Sequence, residues 1–514
     1  MSPAVPASDG YDVIVVGFGY AGGMAAIAAH DAGARVLLVE KQPTPGGISV
    51  CSAGGIRCTD RPDAALAYLL ATNGGTTPEP VLRRLADGMA QLPAVVGALA
   101  SAVGATLSVR PAPGNYDFPG TDAFGFVTID AVPDFEPASA YPAVRGAAAG
   151  ARLFRVVEQN VRRRGIETRL GTAARRLLVD HGRVTGVTTI TAVGAEEEIR
   201  AHGGVVLATG GFEGAADLQR QFWSMNPVLS AALATNTGDG LRMAQSAGAG
   251  LWHMWHYHGS YGFAHPDPGY PYGIRLKRLP DWLPGVGLRE DVIMSWILVD
   301  RDGRRFMNEY EPYMQDTGHR PLEGTDFARM RQPHLPALLI VDADGDARYP
   351  LCAPTWHDAG VAARFGAMTS RDFDAAILTR HDTLAGLAEA YGRDPGTLAA
   401  TVADWNRLSD TGAPDRFGRP VRGRAPIRRG PFRAAPVVPV VSNTQGGPAH
   451  DAAQRVLDAF GHPIAGLWEA GEIGSVFGHI YMSGGNLAES FVGGRIAGHN
   501  AARWNVTQAA GATP

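Results

Sequence analysis

The stretch YDVIVVGFGYAGG, residues 11 to 23, decides the fold. Its first six residues form an apolar, β-rich run that leads into glycines at 17, 19 and 22, in G-x-G-x-x-G spacing, and then into the Ala-rich run GMAAIAAHDAG. In the order strand, tight turn, helix, Gly17 permits the turn, Gly19 lets a pyrophosphate approach the backbone, and Gly22 lets the helix pack on the strand. Phosphates then sit at a helix N-terminus, where backbone N–H groups favour negative charge. A second strand, RVLLVE, ends in Glu40. An acid about 20 residues beyond such a turn accepts hydrogen bonds from a ribose hydroxyl and repels a 2'-phosphate.

Three further stretches select the dinucleotide. Gly46 and Gly47, followed by SAGG at 52–55, make a second glycine-rich segment suited to passing close to a flat ring. GGVVLATGGF, residues 203–212, reads as a returning buried strand that ends in small residues. GLWEAGE, residues 466–472, reads as another strand, with Glu472 placed to hold a polyol chain. A nicotinamide dinucleotide needs none of these, so the expected cofactor is FAD. Helical spacing in RLFRVVEQNVRRRG, residues 152–165, and alternation on both sides of His181–Gly182 add a helix and a small β-meander. In TGDGLRMAQSAGA, residues 237–249, Asp239 is read first as the cap of a short helix.

The whole chain bounds the partners. It has 514 residues, 45% of them hydrophobic, and a net charge of -4, which gives no basic face for nucleic acid or an anionic membrane. A small molecule is therefore the expected partner. Cys51, Cys58 and Cys352 make neither a disulfide framework nor a zinc site. MSPAVPASDG lacks a basic targeting region, and no apolar run is long enough to span a bilayer. The expected location is the cytoplasm. His253, His256 and His258 in WHMWHYHGSYGF lack the acid spacing of a metal site, and DADGD at 342–346 is read as a turn, so no metal is expected.

The segments VVGFGYAG, GGISVCSAGG, LATGGF, TNTGDGLRMAQSAGAG, LVDRDGRRFMNE, GRDPGTLAATVADWNRLSD with FGRP, and AGEIGS with SGGNLAESFVGGRIAG run through nearly the whole chain. With them the sequence resembles the flavoprotein family that includes the soluble fumarate reductases and the 3-ketosteroid dehydrogenases. The resemblance implies an α/β fold: a Rossmann-like, glutathione-reductase-like FAD-binding domain over 1–274 and 441–514, with an α+β capping domain inserted over 275–440. It implies noncovalent FAD, because GGISVCSAGG lacks the histidine to which some relatives attach the flavin. The implied cofactor contacts are Gly17, Gly19, Ala21, Gly22, Glu40, Lys41, Gly46, Gly47, Ser49, Ser52, Gly54, Gly55, Ala208, Thr209, Gly210, Asp239, Glu472, Gly485, Asn486 and Leu487.

The same resemblance narrows the chemistry. Tyr313 stands where fumarate reductases carry a proton-donating arginine, Met482 where they carry a carboxylate-binding arginine, and Asn443 where a histidine is expected. Each exchange removes a group suited to a carboxylate, and an unmatched carboxylate in a dry pocket is costly. A dicarboxylate is thus disfavoured, while Arg275, Arg278 or Arg320 leaves room for a single acid group. YMSGG supplies the Y-x-x-x-G element of the ketosteroid dehydrogenases as Tyr481 and Gly485. In that family both groups donate to a ketone oxygen, a term worth about 3 to 4 kcal/mol per well-placed donor. NEYEPY resembles the N-E-x-x-P-Y element of ketone dehydrogenases, which makes Tyr313 the expected base for the α-proton. A free phenol titrates near about 10, so such a base needs a neighbouring donor or cation.

The leading expectation is desaturation of a cyclic or steroid-like ketone, passing a β-hydride to FAD and electrons to an acceptor the sequence does not name. The alternatives are the reverse reaction, reduction of an enone or unsaturated carboxylate, and a flavin-holding electron carrier, which needs no enolate-stabilising pair.

Overall fold

The computed structural model describes residues 10–141, 148–276, 282–283, 287–288, 293–310, 317–355 and 358–511. Strand Tyr11–Val16 lies at the centre of the first sheet, parallel to Val36–Val39 on one side and to Glu196–Leu207 on the other. Glu167–Arg169 and Pro463–Glu469 extend the parallel order outward. Both faces are covered, so these strands are continuous runs of Val, Leu and Ile rather than alternating ones. Val13, Val15, Val36 and Leu38 face a core that contains helices Tyr20–Asp31 and Gly485–Gly511. Ile14, Val16, Leu37 and Val39 face the meander strands Thr172–Asp180 and Arg183–Thr191. The meander turns through His181 and Gly182, both at positive φ (48° and 77°), the backbone that a two-residue hairpin turn requires.

The two helices approach backbone to backbone. A Cβ added at Gly494 would lie 2.5 Å from the Ala21 carbonyl oxygen, and one at Gly498 only 2.0 Å from that of Ala25. The long C-terminal helix is thereby fixed beside the first helix, with its own N-terminus at the ends of the parallel strands.

The second sheet is built on the 13-residue strand Phe432–Thr444. Ala337–Val341 and Thr379–His381 pair with its first half, Tyr257–Ala264 pairs with its second half, and Leu229–Ser230 joins near its end. Trp296–Val299, Gly273–Leu276 and Cys352–Ala353 complete the sheet. It therefore starts upstream of residue 275 and continues past 440, because backbone pairing rather than composition decides which strands it holds.

Trp296–Val299 pairs with Ala337–Val341, and residues 304–310 after it are not in a sheet. One local expectation changes. DADGD opens a short helix, with the Asp342 carboxylate accepting from the Gly345 amide at 2.8 Å.

Residues 305–309 feed a buried ion network. Arg305 grips Glu309 with two hydrogen bonds, of 3.0 and 2.6 Å, and reaches Asp415 at 2.9 Å. Arg419 reaches Glu309 at 3.2 Å, and the Arg305 and Arg419 guanidiniums each stand 4.5 Å from the Trp405 ring centre. Burial alone would raise the Glu309 carboxyl, but Arg305 and Arg419 hold it below the usual carboxylate range. Removing one member of a buried pair strands the other charge, at a cost of about 3 to 5 kcal/mol. Glu309→Gln is therefore expected to lower the urea unfolding free energy by about that amount. Asp344→Asn, which breaks the exposed pair with Arg429, leaves the urea midpoint nearly unchanged.

Candidate active site

A cavity of about 680 Å³ opens at the C-terminal ends of the parallel strands, beneath the end of Phe432–Thr444. Ligands of open α/β sheets bind at this edge. Every expected cofactor residue lines it except Gly22 and Gly485.

At one end the chain turns so tightly that side chains are excluded. Gly17 has φ of 101°, and a Cβ on it would lie 2.3 Å from the Ala208 carbonyl oxygen. A Cβ on Gly22 would lie 1.8 Å from the Gly17 carbonyl oxygen, so this glycine packs the helix on the turn and does not face the cavity. Glu40 accepts from the Phe18 amide and from the Gln42 amide, each at 2.8 Å, and so ties the glycine turn to the end of the second strand. Lys41 donates to Asp239 at 2.7 Å and to Thr237 at 2.9 Å. Asp239 is thus not a helix cap: Gly238 holds the cap position, and the carboxylate is drawn to a lysine 198 residues away in the chain.

Midway, Ser49 accepts from the Tyr20 amide at 3.0 Å, and Glu472 accepts from the Thr444 amide at 2.8 Å. The buried Thr209 hydroxyl, on the cavity wall, has no partner among the described residues. Glu213 lies behind Glu472, with one carboxyl oxygen bonded to Asn236 at 2.8 Å. Burial pushes Glu472 up to about 7 and raises Glu213 well above the usual carboxylate range.

The far end is lined by Arg57, Asn115, His258, Arg275, Asn443 and Tyr481. The Tyr481 ring lies 4.3 Å from that of His258, and its hydroxyl oxygen accepts from the Gly484 amide at 3.0 Å. The Gly485 amide instead donates to the Met482 carbonyl at 2.7 Å, closing the turn that leads into its helix. The expected tyrosine–amide pair is therefore not arranged as two donors aimed into the cavity. Tyr313 and Arg278 lie outside the described residues. Arg320 bonds to His256 at 3.1 Å and does not line the cavity.

His258, which the sequence marked only as lacking the spacing of a metal site, lines the cavity. In strand Tyr257–Ala264 the residues Tyr257, Tyr261 and Phe263 enter the second core, whereas His258 alternates to the cavity side. Burial first, then the Arg275 charge, push its imidazole down to about 3, so it is neutral in working solutions. Asn443 donates from Nδ2 to Asn486 at 2.6 Å, which leaves its oxygen to accept from His258 Nδ1 at 2.7 Å.

The glycine turn, the strand-end acid and the orphaned Thr209 hydroxyl fit the pyrophosphate, ribose and polyol of FAD. Site and sheet together define a flavoprotein fold, and the family and relatives that follow make it an FAD-dependent oxidoreductase acting on CH–CH groups. The chain belongs to the FAD-binding domain family, whose profile matches residues 12–487. It is 29% identical to the fumarate reductase (cytochrome) of Shewanella frigidimarina, covering 97% of this chain and 78% of that one. It is 28% identical to the 4-oxocyclohexanecarboxylate 2-dehydrogenase of Sinomonas cyclohexanicum, covering 95% and 94%. Among solved structures it is similar to the 3-ketosteroid Δ1-dehydrogenase of Sterolibacterium denitrificans, with a TM-score of 0.76, 25% identity, and coverage of 96% and 99%. Among the described residues no cluster of His, Cys, Asp or Glu could hold a metal, and no helix is long and apolar enough to cross a membrane.

The buried acids make stability depend on pH. Burial pushes Glu489 up to about 8, as it does Glu472 to about 7, so in the folded chain each keeps a proton that the unfolded chain has released. Stability from such groups falls as pH rises toward their folded values. The buried histidines, shifted down, act in the opposite direction, but only below about pH 6.5, where an unfolded imidazole binds a proton. The thermal midpoint of the cofactor-free protein is expected to fall between about pH 6.5 and 8, and to fall less in Glu472→Gln. A midpoint that rises over this window would contradict the assignment.

Proposed function

We propose that the protein dehydrogenates a cyclic ketone, introducing a double bond next to the carbonyl, with FAD held along the cavity from Glu40 to Asn486. The observation that carries this reading is Tyr481, which lines the cavity at the end opposite Glu40, with its ring against a neutral histidine. Its oxygen accepts from the Gly484 amide, and its O–H is the proposed donor to the substrate ketone oxygen. Negative charge that develops on that oxygen as the α-proton leaves is stabilised by the hydroxyl. Neutral His258 and the polar Asn443 hold the ring and the floor of the site without adding a charge. Tyr313 is the proposed base for the α-proton. FAD, when bound, supplies the acceptor for the β-hydride.

The domain assignment is part of the same reading. The first sheet and its helices form the FAD-binding domain, and the sheet built on Phe432–Thr444 forms the inserted cap, starting upstream of Tyr257.

Arg275 supports a narrower substrate. Its guanidinium lines the same end of the cavity and donates to the Ser442 hydroxyl. A ketone that also carries a carboxylate would match it, as the activity of the Sinomonas cyclohexanicum relative illustrates. The same cation favours a second reading, reduction of an unsaturated acid, for which the Shewanella frigidimarina relative is the precedent.

Anaerobic titration of the FAD-loaded protein with steroid ketones, cyclohexanones and 4-oxocyclohexanecarboxylate tests these readings. Bleaching of the flavin by a ketone is the expected result. No bleaching by any ketone, with reoxidation of the reduced protein by an unsaturated acid, would reverse the direction. Tyr481→Phe is expected to keep the yellow cofactor and to lose at least about tenfold in kcat, because it removes a donor used in the transition state. Gly19→Val is expected to lose FAD while remaining folded by circular dichroism, since its side chain would fill the pyrophosphate position.

A further inference from the structure

Glu489 lies one turn beyond Asn486 on helix Gly485–Gly511 and is almost fully buried. It ends a chain of hydrogen bonds in which every link donates toward it. His258 Nδ1 donates to Asn443, Asn443 Nδ2 donates to Asn486, and Asn486 Nδ2 donates to Glu489 Oε1. The Ser475 hydroxyl and the Val476 amide each add a bond of 3.2 Å to Oε2. Behind the carboxyl is a second cavity of about 20 Å³, bordered by Arg84, His450, Gln454, Glu469 and Glu489. That is room for about one water.

The charged and titratable groups facing Glu489 come from four elements. Glu469 ends strand Pro463–Glu469, Glu472 lies in the turn Gly471–Gly474, His450 pairs with Glu469 at 3.2 Å, and exposed Arg84 comes from helix Glu79–Ser101 at the outer edge. Burial pushes His450 down to about 4, so it brings no charge at neutral pH. Glu489 thus lies between Asn486, on the wall of the large cavity, and a water-sized space that Arg84 also borders, and no cation stands against its carboxyl among the described residues.

We propose that Glu489 takes up one proton from solvent, by way of the small cavity, when the flavin held beside Asn486 accepts two electrons. The inference rests on the placement of FAD proposed above. FAD bound beside Asn486 would gain one net negative charge on taking up two electrons and one proton. The carboxylate of Glu489 then forms an O–H bond with a proton released by water, and no electron moves to or from it. The electrons come from the substrate, or from reduced methyl viologen in a titration. With a carboxyl that titrates at about 8, the coupling appears above that pH and vanishes below it, where Glu489 is already protonated.

The test is a spectroelectrochemical titration of the FAD-loaded protein from pH 6 to 10, comparing the wild type, Glu489→Gln and Asn486→Ala. The expected wild-type result is a flavin potential that falls more steeply above about pH 8, by one proton per two electrons, with Glu489→Gln lacking the steeper limb. If Asn486→Ala shifts the potential but Glu489→Gln matches the wild type at every pH, the flavin lies where proposed and the Glu489 coupling is refuted. If neither substitution changes the potential, the FAD placement fails, and the inference with it. Should Glu489→Gln not fold, proton uptake by the wild type on reduction by electrode-generated methyl viologen radical, a reductant that carries no protons, followed with a pH indicator, decides the matter. Equal uptake at pH 7 and pH 9 would overturn the proposal.

Discussion

The closeness of the chain to itself at Gly17 governs the rest of the molecule. The Gly17 carbonyl leaves no room for a side chain at Gly22, and the Ala208 carbonyl leaves none at Gly17. Three elements, the first strand, the helix after it and the returning strand Glu196–Leu207, are thereby drawn to one point. Glu40 adds the fourth element by bonding to the Phe18 amide across the turn. Once these backbones converge, a concave edge lined by main-chain groups is unavoidable, and the C-terminal helix can seat on the first only through Gly494 and Gly498.

The two halves of the protein bury charge in opposite ways. In the second sheet Glu309 is enclosed by two arginines and stays ionised. Around the cavity Glu213, Glu472 and Glu489 have amides, hydroxyls and one another for neighbours, and burial keeps protons on them. The first arrangement suits rigidity, since each charge is matched and loss of any member is expensive. The second suits a site whose charge changes as electrons arrive, because a protonated acid gives up or regains its proton at modest cost near its own pKa.

What could be read in advance follows from how local each feature is. The glycine turn, Glu40, the returning strand and the His181–Gly182 hairpin are set by neighbours in sequence, and the structure contains each of them. The Asp239 reading failed because its partner, Lys41, is 198 residues distant. The Gly485 amide is taken up by the Met482 carbonyl in the turn that leads into its helix, a bond that no motif spacing reveals. The chain from His258 to Glu489 was illegible for a similar reason. Its members come from separate segments that meet only because Tyr257–Ala264 pairs with the end of Phe432–Thr444. Periodicity marks a strand but does not name its neighbour.

Strand Phe432–Thr444 has a mechanical consequence. Its early residues hold Ala337–Val341 and Thr379–His381, its last residues supply Ser442 and Asn443 to the cavity wall, and its Thr444 amide secures Glu472. At about 3.3 Å per residue, ten residues of such a strand form a strut some 30 Å long. A strand paired along its length passes a displacement on rather than absorbing it. Force applied at its outer end, at Ala434 for example, is delivered to Asn443, and the fit of the substrate chamber is set partly by packing a nanometre or more away.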